Sequence, residues 1–105
     1  MVEKTKRMLD IEAMLADEPN DAFLRYALAM EYSGKGDDAT AAQMLSELIA
    51  IEPYVPAFLM GGQAYGRLGK VNDAMAVLRQ GIIEAKKQNN LHAMGEMQGL
   101  LDTLD

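Results

Sequence analysis

The stretch YSGKGDDATAAQMLSELI (residues 32–49) is answered 33 positions later by YGRLGKVNDAMAVLRQGI (residues 65–82). Superposing the two puts Tyr32 on Tyr65, Gly36 on Gly69, Ala41 on Ala74, Leu45 on Leu78 and Ile49 on Ile82. Each pair makes sense as part of a helix-turn-helix unit. The glycine ends the first helix, the alanine lets two helices cross closely, and the larger residues fill the space between layers.

The same periodicity extends in both directions. Apolar residues recur at helical spacing as Met8, Ile11 and Leu15; Leu24, Ala27, Leu28 and Tyr32; and Ala41, Met44, Leu45, Leu48 and Ile49. Further stripes follow at Phe58, Gly61, Gly62 and Tyr65, at Val71, Ala74, Leu78, Ile82 and Ala85, and at Met94, Met97, Leu101 and Leu104. Between them lie short segments rich in capping and breaking residues: 18–21, 34–37, 52–54, 68–70 and 88–90. Pro19 and Pro53 each follow a glutamate at the end of a helical run, and Pro56 suits a first turn. The spacing predicts six helices, over 3–17, 20–34, 37–51, 55–68, 71–87 and 90–104, with no strand.

A helix-turn-helix period of 33 or 34 residues resembles the tetratricopeptide repeat. The likeness covers two repeats from about Ala22 to Ala85, roughly three-fifths of the chain. Leu28, Ala29, Tyr32, Gly36, Ala41, Leu45 and Pro53 fit the first repeat, and Phe58, Gly62, Tyr65, Gly69, Ala74 and Leu78 the second. Arg25 stands where the family usually has a large aromatic, Leu48 where it prefers a small residue, and Gly61 where it has leucine; the second repeat lacks its closing proline near Lys86. The resemblance implies an all-α, right-handed α-solenoid of antiparallel helix pairs. Residues 1–105 are expected to form one domain: an N-terminal capping helix (1–19), two repeats (20–53 and 54–87) and a C-terminal capping helix (88–105). Caps are needed because each stacked unit leaves an apolar face uncovered, and two repeats alone fall below the usual minimum of about three. As a whole, the chain resembles small bacterial tetratricopeptide proteins that stand alone.

Composition narrows the function. The 105 residues include 16 Asp and Glu against 10 Lys and Arg, a formal charge of −6, and half are hydrophobic. An acidic chain lacks the basic footprint that nucleic acids and anionic membranes require, and no window approaches the ~18 apolar residues of a membrane span. Neither nucleic acid nor membrane is therefore expected as a partner, and a cytoplasmic location is. Absence of cysteine removes disulfides, thiolate catalysis and thiolate metal ligands. His92 is the only histidine, and it has no ligand cluster or orienting partner in the pattern. Asp37 and Asp38 read as helix-start residues rather than an acid–base pair. Gly61, Gly62 and Gly66 are spaced for a helix face, without the strand and Lys-Ser/Thr that phosphate loops use. No enzyme activity, cofactor or metal is expected.

In the tetratricopeptide family the inner face of each first helix lines a concave groove that takes peptides or helices. The resemblance places Phe23, Tyr26, Met30 and Ser33 there in one repeat, and Leu59, Gln63, Gly66 and Arg67 in the next. Chaperone-binding members clamp a terminal carboxylate with Lys and Asn at such positions; neither is present, so no carboxylate clamp is expected. The expected partner is a protein or peptide whose apolar segment, most simply a helix, contacts Phe23, Tyr26, Met30 and Leu59 while Gln63 and Arg67 orient it. Two alternatives use the same residues. In one, Phe23, Tyr26 and Met30 lie under the N-terminal helix, since apolar stripes are usually core; in the other, the whole surface joins two copies in a homodimer. The three glycines of the fourth helix each cost about 1 kcal/mol of helix propensity. Gly61 and Gly62 are expected to admit a neighbouring helix, and Gly66 a ligand.

Overall fold

The computed structural model of the chain describes residues 3–104, which form six α-helices and no strand. These are α1 (Lys6–Asp17), α2 (Ala22–Gly34), α3 (Asp38–Ile51), α4 (Val55–Arg67), α5 (Val71–Lys87) and α6 (Leu91–Leu104). The first two begin two or three residues later than the sequence spacing implied. Thr5 and Asp21 stand outside the helices as N-caps, their side chains accepting from the backbone N–H of Met8 at 3.2 Å and of Leu24 at 2.9 Å. Asp37 caps α3 in the same way, through the N–H of Thr40.

The repeated Tyr-x-x-x-Gly spacing has a hydrogen-bond explanation. Gly36 N–H donates to the Ser33 carbonyl and Asp37 N–H to the Tyr32 carbonyl; Gly69 and Lys70 do the same toward Gly66 and Tyr65. This pair of bonds closes a helix only if the glycine position is left-handed, and φ is +81° at Gly36 and +75° at Gly69. Asn89, at φ +56°, closes α5 in the same way, its N–H donating to the Lys86 carbonyl and that of Asn90 to the Ala85 carbonyl. Asparagine is among the few side chains that tolerate that region, so the third turn of the series escapes a search for glycine.

Successive helices pack against each other in chain order, and α4 also touches α2 and α6. The core has three parts. Met8 and Ile11 of α1 lie on Leu28, Tyr32 and Ala41; Ala29, Leu45, Leu48 and Ala57 fill the middle; Val55, Phe58, Leu78, Ala85, Met97 and Leu101 fill the C-terminal end. Val71, read as part of the α5 stripe, is the first residue of that helix and is exposed. Arg25 occupies the first repeat's aromatic position without filling it. Its Nε donates to the Pro19 carbonyl, 2.6 Å away, leaving a cleft of ≈ 110 Å³ among Leu15, Arg25, Leu28, Met44 and Glu47.

Close helix crossings depend on two glycines, and they are not the adjacent pair. A Cβ at Gly62 would lie 2.5 Å from Leu78 Cδ2 and 2.6 Å from its Cγ, and Leu78 is fully buried. A Cβ at Gly81 would collide with Phe58 Cβ and come within 2.5 Å of Met97 Sδ. Gly61 differs: its Cβ would meet Val77 Cγ1 at 3.4 Å, an ordinary contact. The expectation that Gly61 admits a neighbour is thus corrected, and its helix-propensity cost has no packing reason. Gly62→Ala is expected to lower stability by about 2 kcal/mol through overpacking, whereas Gly61→Ala should be neutral or stabilising by up to about 1 kcal/mol. Urea unfolding followed by circular dichroism reads both; equal losses would contradict this division of labour.

Candidate protein-binding face

Hydrogen bonds between turns fix how the helices line up. Gln88 Nε2 donates to the Pro53 carbonyl at 3.0 Å, and Tyr26, one turn into α2, stacks at a tilt on Tyr54 with ring centroids 5.5 Å apart. The turns at 18–21, 52–54 and 88–90 therefore share one end of the stack. At the other end Arg67 bridges two turns, with Nε on Asp38 Oδ1 and Nη2 on Ser33 Oγ, both at 3.0 Å. Helices α2, α4 and α6 consequently run side by side in the same direction, and their common face carries the residues singled out from the sequence.

At the 18–21 end, Phe23 is 64% exposed. Tyr26 and Met30 are half-buried behind it. Burial raises the Tyr26 hydroxyl above its ordinary pKa, and the nearby Tyr54 adds to the rise. The N-terminal helix does not account for these three residues, since α1 seats Met8 and Ile11 on Leu28, Tyr32 and Ala41. Leu59 is half-buried against the C-terminal core cluster. At the far end Gln63, Gly66 and Arg67 line a cleft of ≈ 280 Å³ whose opposite wall is Leu100 and Leu104 of α6. Phe23 and Ser33 are ten residues apart on one helix, about 15 Å along the face.

Two features differ from the sequence reading. Arg67 makes bonds the sequence did not show: its Nε and Nη2 reach Asp38 and Ser33 and tie α4 to the α2–α3 turn, with the side chain still 46% exposed. Leu100, absent from the apolar stripe read in α6, contributes a wall, and Tyr54 supports Tyr26. Tyr54 joins the face only through contact between helices, whereas Leu100, three residues after Met97 and four before Leu104, is within reach of the spacing argument. Asp38 accepts from Arg67, and Asp37 caps α3. His92 faces Glu96 at 3.2 Å on an exposed turn of α6, and no group of three or more potential metal ligands occurs among the described residues. A larger cleft of ≈ 500 Å³ between α3 and the α4–α5 turn has Ser46 Oγ and Tyr65 Oη bonded to each other at 2.7 Å.

A row of parallel helices, each backed by an antiparallel partner, defines an α-solenoid repeat protein. A tetratricopeptide repeat domain protein from Salinibacter ruber, in its solution structure, matches with a TM-score of 0.77 at 31% identity, over 82% of this chain and 88% of that one. A crystal structure of the Salinibacter ruber domain protein gives 0.76 at 29% identity, over 80% and 96%. A protein from Bordetella parapertussis shares the fold, with a TM-score of 0.81 at 22% identity over 96% of this chain and 89% of that one. No family model matches the sequence, and no curated protein does. The chain belongs to the tetratricopeptide repeat family.

A Cβ at Gly66 would meet nothing within 4 Å. Gly66→Leu is therefore expected to keep the melting temperature of the parent or raise it, because helix propensity improves by about 1 kcal/mol and the new side chain leaves the helix into open space at its Cβ. A thermal scan showing a marked drop would place Gly66 in the core rather than on the face.

Proposed function

We propose that this protein is a non-enzymatic interaction module that takes a segment of another protein on the α2–α4–α6 face, through Phe23, Tyr26, Met30, Leu59, Gln63 and Gly66, with Arg67 fixing the shape of the wall. Residues 1–105 act as one domain, in which 1–19 and 88–105 cap the repeats at 20–53 and 54–87. The observation that carries this reading is Phe23, a large aromatic 64% exposed on the face that the Tyr26–Tyr54 pair and the α4–α6 cleft continue. An exposed aromatic of this size is the kind of anchor that interfaces bury. Gly66 supports the reading, since its bare backbone has room beside it that no internal side chain uses. Among the described residues no helix is long and apolar enough to cross a membrane.

Phe23→Glu tests the proposal without disturbing the core. Partner capture from an extract of the native cell should be lost with this variant while its circular dichroism spectrum and melting temperature stay unchanged. Sedimentation at several concentrations covers the homodimer alternative: the account expects no concentration dependence, and self-association abolished by Phe23→Glu would show that the face joins two copies.

A further inference from the structure

From the charge layout and the walls of the face, we infer that its occupant is an amphipathic helix with Lys or Arg flanking its apolar stripe; this rests on the binding face proposed above. Backbone chemistry sets the shape of the partner. The walls are three helices, whose own amides and carbonyls are already paired, so no strand edge is offered. An extended segment pressed on this face would need side chains to satisfy its amides, as buried backbone groups are costly when unpaired. Ser33 already accepts from Arg67, and Gln63 is the one amide side chain lining the α4–α6 cleft. A helix satisfies its own backbone and presents only side chains.

Charge sets the flanks. The three helices of the face contain two cations, and both are turned to internal partners: Arg25 to the Pro19 carbonyl and Arg67 to Asp38 and Ser33. Of the other basic residues of the repeats, Lys35 follows α2 at the far end of the stack with Lys70, Arg79 lies within α5, and Lys86 and Lys87 are in its last turn, where Lys87 pairs with Glu84. The end of the stack that presents Phe23 carries exposed Asp17 and Glu18, which border a shallow cleft with Met14 and Leu24, and exposed Glu52 in the turn that holds Tyr54. A basic flank would meet these carboxylates while the apolar stripe covers Phe23 and Tyr26, in a chain whose formal charge is −6.

The probe is a displayed library of peptides, helical and extended, with randomised apolar and flanking positions, selected on the full chain. Expected winners have apolar residues at helical spacing with Lys or Arg flanks, bind about tenfold more weakly at high salt, and lose about tenfold on the exposed double substitution Glu18→Lys/Glu52→Lys. The same double variant should gain affinity for acidic-flanked versions of the winners. Winners that are extended, acidic or indifferent to the charge reversal, yet lost on Phe23→Glu, would overturn the basic-helix assignment and leave the face standing. Winners indifferent to Phe23→Glu, no winners, or a face already occupied by a second copy in sedimentation would remove both.

Discussion

Everything in this small stack depends on how closely α4 and α5 cross, and that distance is set by Gly62 beneath Leu78 and by Gly81 beneath Phe58. With no side chain at either point, Leu78 and Phe58 bury completely and Met97 of α6 reaches the same cluster. Interiors are packed densely enough that one added methyl at such a contact must displace something. The crossing therefore brings α6 against α5 as well, and so places Leu100 and Leu104 opposite Gln63 and Gly66. Core geometry and the shape of the face are one fact seen from two sides.

The polar groups of the described residues are largely satisfied within the stack. Three helix ends are closed by the same paired turn bonds, four helix starts by the side chains of Thr5, Asp21, Asp37 and Asn90, and no buried side-chain polar atom lacks a partner among the described residues. The ion pairs are exposed or nearly so, and contribute little individually. Arg67 is the informative one, because it spans 29 positions to Asp38 and 34 to Ser33. It aligns the turns of successive repeats at one end while Gln88 does so at the other. Exposed apolar side chains are left on several elements, Leu9 and Met14 of α1, Ile51 of α3, Ile83 of α5 and Leu91 of α6, and Phe23 is the one aromatic among them.

The fold was legible in the sequence because the turn chemistry is local. Tyr32 and Gly36, then Tyr65 and Gly69, lie four apart and specify a helix stop without knowledge of anything distant. Much of the core followed from helical spacing for the same reason. The face was legible in part: the inward or outward position of Phe23, Tyr26 and Gly66 follows from helix phase and the family likeness. Which glycine matters was not legible, since Gly61 and Gly62 are neighbours in sequence and only the approach of Leu78 separates them. Gly81 went unread for the same cause. The bonds of Arg67 to Asp38 and Ser33 were not legible either, because its acceptors flank another turn.

The claim on which the functional account stands is that the α2–α4–α6 face is open in the free protein. The chain has two phenylalanines, one on that face and one in the core, Phe23 at 64% exposure and Phe58 at 0%. Nuclear magnetic relaxation of their ring protons by a soluble paramagnetic agent compares the two directly in one sample. The account predicts strong enhancement at Phe23 and almost none at Phe58; equal protection of both rings would show that the face is closed, and would contradict it.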